Sequence, residues 1–476
     1  MQPKVQFDIV IVGSGPAGVH TAYPLVKAGL KVAIIDGGLD SKKKDKHTNK
    51  FLDANFSKTS NAYDLIKKSS YVFNKTYQLL KIKSNIEIIQ TLAKGGLSEQ
   101  WHGICDFFSK EELETVGLPS NEIEKEYKEI VKLIKLKFHT NLDFQSRSLL
   151  NSSKNQANFN GRLYQVSLTD SYRTYSIIEK FKKFKNFTYI PNQLVLKVQD
   201  KTESVEIQSL SIDKNLKSVT NANFLILAAG SINTTRILLS SLNLFNYKTT
   251  FLTKANYLAA CVYPKTLIKK NNLKKKSSGQ LVMSSKPIHQ GLETFFIQLY
   301  KFNPRSIAKA LKFIPLPKFL TYPVLKLFAP SLMIADIRFP CFESERKFCR
   351  LIKDKKGGDV LEVSFKESRD EIKDHTNKFG SIVQQLRKLG LLSVKKTYGY
   401  TTSHYAGGVP YKSEKGELSV DINGKLHQAK RIYIADASTW RALPSKAPTL
   451  TIMANASRVG KKVLENFSRK GVNILK

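Results

Sequence analysis

Between the apolar run Ile9-Val10-Ile11-Val12 and a segment of helical character stands Gly13-Ser14-Gly15-Pro16-Ala17-Gly18, and the next apolar run, from Lys31 to Ile35, closes on Asp36. Gly13 permits a tight turn, Gly15 lets the backbone approach a ligand with no side chain between them, and Gly18 lets the helix sit close to the strand. The unpaired N–H groups at the start of such a helix attract an anion such as a pyrophosphate. Asp36 follows Gly18 by 18 residues, where a carboxylate can accept hydrogen bonds from ribose hydroxyls. Strand, glycine turn, helix, strand and terminal acid together point to a bound dinucleotide, NAD or FAD, and name no reaction. Pro24 falls inside the helix, where its missing N–H predicts a kink.

A second set of residues suits proton chemistry. His404 sits in Thr402-Ser403-His404-Tyr405-Ala406-Gly407-Gly408, 32 residues before Asp436 of Ala435-Asp436-Ala437-Ser438. Imidazole titrates near neutral pH and can take the proton of a hydroxyl as it is oxidised. Three small-residue segments accompany it. Gly95-Gly96-Leu97-Ser98 forms a tight loop ahead of Trp101-His102-Gly103, and Ala228-Ala229-Gly230 links an apolar run at 224–227 to a helix-like stretch at 231–239. In Ala447-Pro448-Thr449 the proline opens a helix whose Leu450, Met453, Val459, Val463 and Phe467 recur at near-helical spacing.

These residues need a framework, and 476 residues, 41% hydrophobic and 24% charged, are enough for two domains with a shared core. The formal charge is +38, yet only 14 of the 77 basic residues are arginine and 63 are lysine. Arginine is favoured for reading phosphates and bases, so the excess reads as a solvated lysine surface rather than a specific nucleic-acid site. Cys105, Cys261, Cys341 and Cys349 lack metal-ligand spacing and suggest no disulfide framework, which fits a reducing cytosol. The chain enters its first strand at once and has no run of 18 apolar residues, so neither a leader nor a membrane span is expected.

Along the chain, residues 41–90 are polar and lysine-rich with helical stretches at 62–68 and 72–80, and 121–136 reads as an amphipathic helix. Strand patterns at 187–198, 205–212 and 224–227 follow, and 265–276 is a lysine-dense loop. Alternating strands at 280–284, 293–300, 333–339 and 360–365, then a helix over 368–389, give the middle a different texture. After 395 the pattern returns to α/β, with a buried strand at 431–436. The predicted fold class is α/β: a Rossmann-like nucleotide-binding domain over 1–245 and 395–476, with a helical insertion at about 41–150. Into it is inserted an α+β substrate-binding domain, 246–394, built on an antiparallel sheet.

In order and spacing, four segments resemble the glucose-methanol-choline (GMC) flavin oxidoreductases: the opening fingerprint, Gly95 to Gly103, Ala228 to Leu239, and Ala435 to Ser438 with Ala447 to Ile452. The likeness covers both ends of the chain, about half its length, and leaves the middle unmatched. It implies a Rossmann-like FAD-binding domain and FAD as cofactor, held non-covalently because Gln100 stands where some relatives attach the flavin to a histidine. By the same resemblance Gly13, Ser14, Gly15, Ala17 and Gly18 hold the pyrophosphate, Asp36 the adenosine ribose, and Val195 the adenine through its backbone. Gly96, Leu97, Ser98 and Trp101 line the flavin, Ala229 and Gly230 lie near the adenosine half, and Asp436 and Ala437 meet the ribityl chain or pyrophosphate. Pro448 and Thr449 bring the last helix to the isoalloxazine. A reduced flavin is negative near N1 and C2=O, and the positive end of that helix would stabilise it. His404 matches the H-x-x-G segment and is the implied general base for hydride transfer from a CH–OH group to flavin N5.

One position departs from the pattern. Similar proteins commonly place a second His or Asn immediately before the proline of the last helix, and here that residue is Ala447. Ser445, Lys446 and His102 are the candidate substitutes, and a single base is the alternative. The implied substrate is an alcohol, polyol or sugar, with the electron acceptor unspecified. Two other readings stand beside it: a flavin-binding protein without alcohol-oxidising activity, and a sterol- or lipid-type flavin oxidoreductase at a membrane surface. For the latter, residues 307–334 interleave Leu311, Phe313, Phe319 and Leu325 with Lys309, Lys312, Lys318 and Lys326, a basic apolar pattern that suits an anionic membrane interface. A buried domain wall or dimer contact is the plainer reading of that stretch. The expected location is cytoplasmic, with 307–334 the contact if the protein sits at the inner membrane surface.

Overall fold

The computed structural model describes residues 5–40, 71–100, 103–138, 142–154, 162–165, 167–168, 172–267, 281–285, 294–301, 328–399 and 403–469. The expected helix at 62–68, most of the lysine-dense loop, Trp101, His102 and residues 307–327 lie outside them. The fold is mixed α/β with several sheets.

At its centre, strand Phe7–Val12 pairs in parallel with Val32–Ile35 on one side and Lys217–Leu227 on the other. Phe187–Ile190 and Ile432–Ile434 extend this parallel core at its two edges. Parallel strands covered on both faces must be apolar throughout, and these are. Ile9, Ile11 and Ile34 pack toward the helices Pro16–Lys27 and Thr449–Arg469, while Val10, Val12 and Ile35 pack toward Ile232, Leu238 and Met453. Lys217–Leu227 is long enough to serve two sets of partners, and its first half runs antiparallel to Val205–Ser211, which pairs in turn with Gln193–Asp200. The stretch 187–198, expected as one strand, is therefore two. Pro191 supplies no N–H and Asn192 takes a φ of 59°, so the ladder breaks there.

The first helix runs unbroken from Pro16 to Lys27 through Pro24. It crosses the last helix closely: a Cβ built on Gly460 would stand 2.6 Å from the Thr21 carbonyl and 3.0 Å from the Pro24 ring. Thr21 Oγ1 also donates to the Ala456 carbonyl at 3.1 Å.

An antiparallel six-stranded sheet stands apart, in the order Leu392–Gly399, Asn256–Val262, Leu332–Arg338, Phe296–Lys301, Leu281–Ser284 and Arg162–Gln165. Its last strand comes from well before residue 246. Alternation gives the sheet two chemically different faces. Tyr257, Ala335, Ile337 and Phe339 pack on Phe379, Ile382 and Leu386 of the helix Arg369–Lys388, which opens on a Ser368–Glu371 capping box. The opposite face carries Gln298, Asp336 and Arg338, with Val282 and Phe296 packed against Ile104 and Ala447. That polar face thus looks toward the start of the last helix. Among the described residues no helix is long and apolar enough to cross a membrane.

Candidate active site

The glycine turn is shaped by backbone crowding. Gly13 has a φ of +103°, and a Cβ there would stand 2.5 Å from the Ala228 carbonyl; one on Gly18 would stand 1.9 Å from the Gly13 carbonyl. Both positions exclude any side chain. Gly15 is different, because the first atom its Cβ would meet is the Gly95 carbonyl at 4.0 Å, and around Gly230, with a φ of +81°, nothing lies within 4 Å. These two glycines border open space at the starts of the helices Pro16–Lys27 and Ser231–Ser241. An anionic ligand fits there, against unpaired helix N–H groups. Ala17 is buried in the first turn of its helix.

The second loop closes on the first. Gly95 N–H donates to Ser14 Oγ at 2.8 Å, and Ser98 Oγ donates to the Gly95 carbonyl at 2.7 Å while meeting Thr174 Oγ1 at 2.7 Å. Ser14 Oγ donates in turn to Asp36 Oδ2 at 2.5 Å. Gly96 and Leu97, on the short helical turn Gly96–Gln100, remain partly exposed beside Gly15. Asp36 Oδ2 also accepts from Tyr189 Oη at 3.0 Å and Gly38 N–H at 3.2 Å. Burial raises the Asp36 carboxyl above its usual range despite these donors. Val195 gives its carbonyl to Arg236 Nη2 at 2.7 Å.

Asp436 is more fully engaged by the protein than its spacing suggests. Oδ2 accepts from Gly230 N–H at 2.9 Å and Thr234 Oγ1 at 2.5 Å, and Oδ1 accepts from Ser438 N–H at 2.9 Å. It caps the turn Ala437–Thr439 and ties it to the Gly230 helix start. Ser438 Oγ, fully buried, has no hydrogen-bond partner among the described residues. The segment after His404 runs alongside: Gly407 N–H donates to the Ala437 carbonyl at 3.1 Å, and Ser231 Oγ to the Tyr405 carbonyl at 3.0 Å. Contacts therefore run from Gly13 through Ala228, Gly230 and Asp436 to Tyr405 and Gly407, in the segment that carries His404.

His404 has a partner that nothing in the sequence marks. Leu252 and Ala406 exchange both backbone hydrogen bonds, N–H to O, at 2.9 and 3.0 Å in an antiparallel bridge. Two residues on along one segment and two back along the other, Lys254 and His404 come opposite each other. Lys254 Nζ lies 3.5 Å from His404 Nδ1, 3.1 Å from the Ser445 carbonyl and 2.6 Å from the Lys446 carbonyl. Those carbonyls belong to the loop that enters the last helix through the buried Ala447 and Pro448, with Thr449 partly exposed at its first turn. Lys254 is wholly buried. Burial, with the Arg338 charge beside it, lowers its ammonium well below the usual range. Burial first, with the Arg338 charge beside it, likewise holds the His404 imidazole well below its usual range, so the ring is neutral at neutral pH. His404 is itself only partly buried and keeps an accessible edge.

Of the suggested substitutes for a residue at 447, Lys446 commits its ammonium to Glu112 at 2.9 Å and the Phe107 carbonyl at 3.2 Å. Ser445 and Lys446 each give a carbonyl to Lys254. The buried wall opposite holds Arg338, which donates to Asp336 at 2.6 Å and Gln298 at 2.9 Å. All four cysteines are buried and free. A separate cleft of about 800 Å³, lined by Arg147, Ser148, Lys265, Arg387 and their neighbours, shares no residue with this site.

Comparison with known proteins meets the site from its carboxyl-terminal side. Residues 350–456 match the family described as GMC oxidoreductase. That stretch contains His404, Asp436, the carbonyls that hold Lys254 and the start of the last helix, so the likeness to GMC oxidoreductases falls on the site itself. No curated protein matches the chain.

Proposed function

We propose that the chain is an FAD-dependent oxidoreductase that dehydrogenates a CH–OH group of an alcohol, polyol or sugar. The observation that carries this reading is the series of contacts from the Gly13 turn to the segment of His404. FAD, when bound, supplies a hydride acceptor at flavin N5. Gly13, Ser14, Gly15, Ala17 and Gly18 would receive the pyrophosphate at the open helix start, with Asp36 at the adenosine ribose. Adenine would lie by Val195. Gly96, Leu97, Ser98, Ala229, Gly230 and Ala437 would border the remainder, with Asp436 holding their turns in place.

His404 takes the hydroxyl proton at Nε2, the ring nitrogen that Lys254 does not face. Its neutral ring is ready for that task at neutral pH. The N–H groups at the start of the last helix, fixed by Lys254 and Lys446, present the positive end of a 21-residue helix where negative charge develops. Gln298, Asp336 and Arg338 on the facing sheet offer donors and acceptors that suit a hydroxyl-rich substrate.

The test is a visible spectrum of the purified protein followed by anaerobic addition of a panel of alcohols and sugars. The reading expects a flavin band near about 450 nm that bleaches with at least one member of the panel. A colourless protein contradicts the cofactor; a yellow one that no hydroxyl compound bleaches contradicts the reaction and favours a flavin-binding role.

A further inference from the structure

Lys254 is wholly buried at the site, and its surroundings count its protons. A neutral amine has two N–H bonds and one lone pair. Its partners are two carbonyls, Ser445 and Lys446, that only accept, and one ring nitrogen, His404 Nδ1, that can donate. An ammonium would meet the same three atoms, but its charge has no carboxylate in ion-pair distance among the described residues. Glu112 on the helix Lys110–Val116 is taken by Lys446, and Asp336 on the strand Leu332–Arg338 by Arg338. Arg338 adds a like charge, Cys341 is a buried thiol, and among the described residues His404 is the titratable side chain within hydrogen-bond reach of Nζ. Burying an ammonium without a counter-charge is costly, and losing its proton relieves the cost.

We propose that Lys254 rests as a neutral amine and is the positioning residue of His404, accepting a hydrogen bond from Nδ1–H so that the Nε2 lone pair faces the substrate hydroxyl. When the hydroxyl O–H bond breaks, an Nε2–H bond forms. The Nδ1–H bond breaks in the same relay and an Nζ–H bond forms, so the imidazole ends neutral and Lys254 ends as an ammonium held by two carbonyls. The hydride leaves the substrate carbon for the oxidised flavin, the two-electron acceptor of the proposed function on which this inference rests. Lys254 thereby supplies, from the other side of the ring, the second polar group that Ala447 cannot.

The decisive experiment uses the full chain labelled with ¹⁵N-histidine, with the His404 signals assigned by their loss in His404→Gln. The expected result at neutral pH is a protonated Nδ1 and an unprotonated Nε2, with the Nε2–H tautomer gaining population in Lys254→Met. A wild-type ring protonated at Nε2 overturns the proposal, whether or not Lys254→Met folds. In flavin reduction, Lys254→Met is expected to be slower by about tenfold or more. Lys254→Arg keeps a donor and a charge but cannot accept a proton, so it is expected not to rescue; full rescue by arginine overturns the relay. If no hydroxyl compound reduces the flavin, the proposed function fails while the tautomer measurement still decides the role of Lys254.

Discussion

Lys446 Nζ stands 2.9 Å from Glu112 Oε2, with 9% and 1% of the two side chains exposed. The same carboxylate oxygen accepts from Ser109 N–H at 2.8 Å and closes the capping box of the helix Lys110–Val116. One buried pair thus fastens that helix to the loop that opens the last helix, and the Lys446 carbonyl is then in place to receive Lys254.

Glu112→Gln keeps the cap but leaves the Lys446 ammonium buried without its counter-charge. We expect a loss of about 3–5 kcal/mol, read as a lower thermal midpoint, and recovery of most of it when Lys446→Met is added. A single variant that melts with the wild type would show that the pair does not anchor the loop.

Two alanine substitutions one helical turn apart should behave differently. Gly18→Ala drives a methyl to 1.9 Å from the Gly13 carbonyl and is expected to lower the melting midpoint sharply or prevent folding. Gly15→Ala meets nothing closer than 4.0 Å, so the fold should survive while its methyl fills the space proposed for pyrophosphate. Its melting curve without cofactor should match the wild type and its FAD retention should fall; unchanged retention would move the pyrophosphate elsewhere.

Much of this was legible in the sequence, for physical reasons that differ by residue. Gly13 and Gly18 are marked because their backbone positions admit no side chain, and Asp36 because it ends the neighbouring strand at a fixed distance. Lys254 and His404 are 150 residues apart and meet only through the bridge between Leu252 and Ala406, a pairing no local pattern announces. Among 63 lysines this one looked like solvated surface. Asp436 is marked by its motif as a candidate site residue, but its spacing does not show that three protein donors occupy it. The entry of Arg162–Gln165 into the antiparallel sheet was invisible for the same reason as Lys254, since register across distant strands depends on tertiary packing.

Asp36 links pH to stability in the less usual direction. Burial raises its folded-state pKa, so the folded protein binds the proton more tightly than the unfolded chain and this group's contribution declines as pH rises through the carboxylate range. Asp36→Asn removes that dependence. Without cofactor, the variant's melting midpoint should gain on the wild type between about pH 4 and about pH 7, while its FAD affinity falls. A midpoint difference that shrinks with rising pH would contradict the assignment.

His404 carries the opposite shift for a base. With burial first and the Arg338 charge beside it holding its pKa low, the ring is unprotonated through the neutral range. The rate of flavin reduction should therefore be flat there and fall only below the usual imidazole range of about 6.5. An acid limb at or above that value, in stopped-flow reduction across pH, would place His404 outside the proton-transfer step.

The central claim, that His404 removes the hydroxyl proton at a bound flavin, is tested most directly by anaerobic stopped-flow reduction of wild type and His404→Ala with the best hydroxyl compound of the panel. The account predicts equal FAD content in the two proteins and reduction slower by about a hundredfold or more in the variant. Equal FAD content with an unchanged rate of reduction would contradict it.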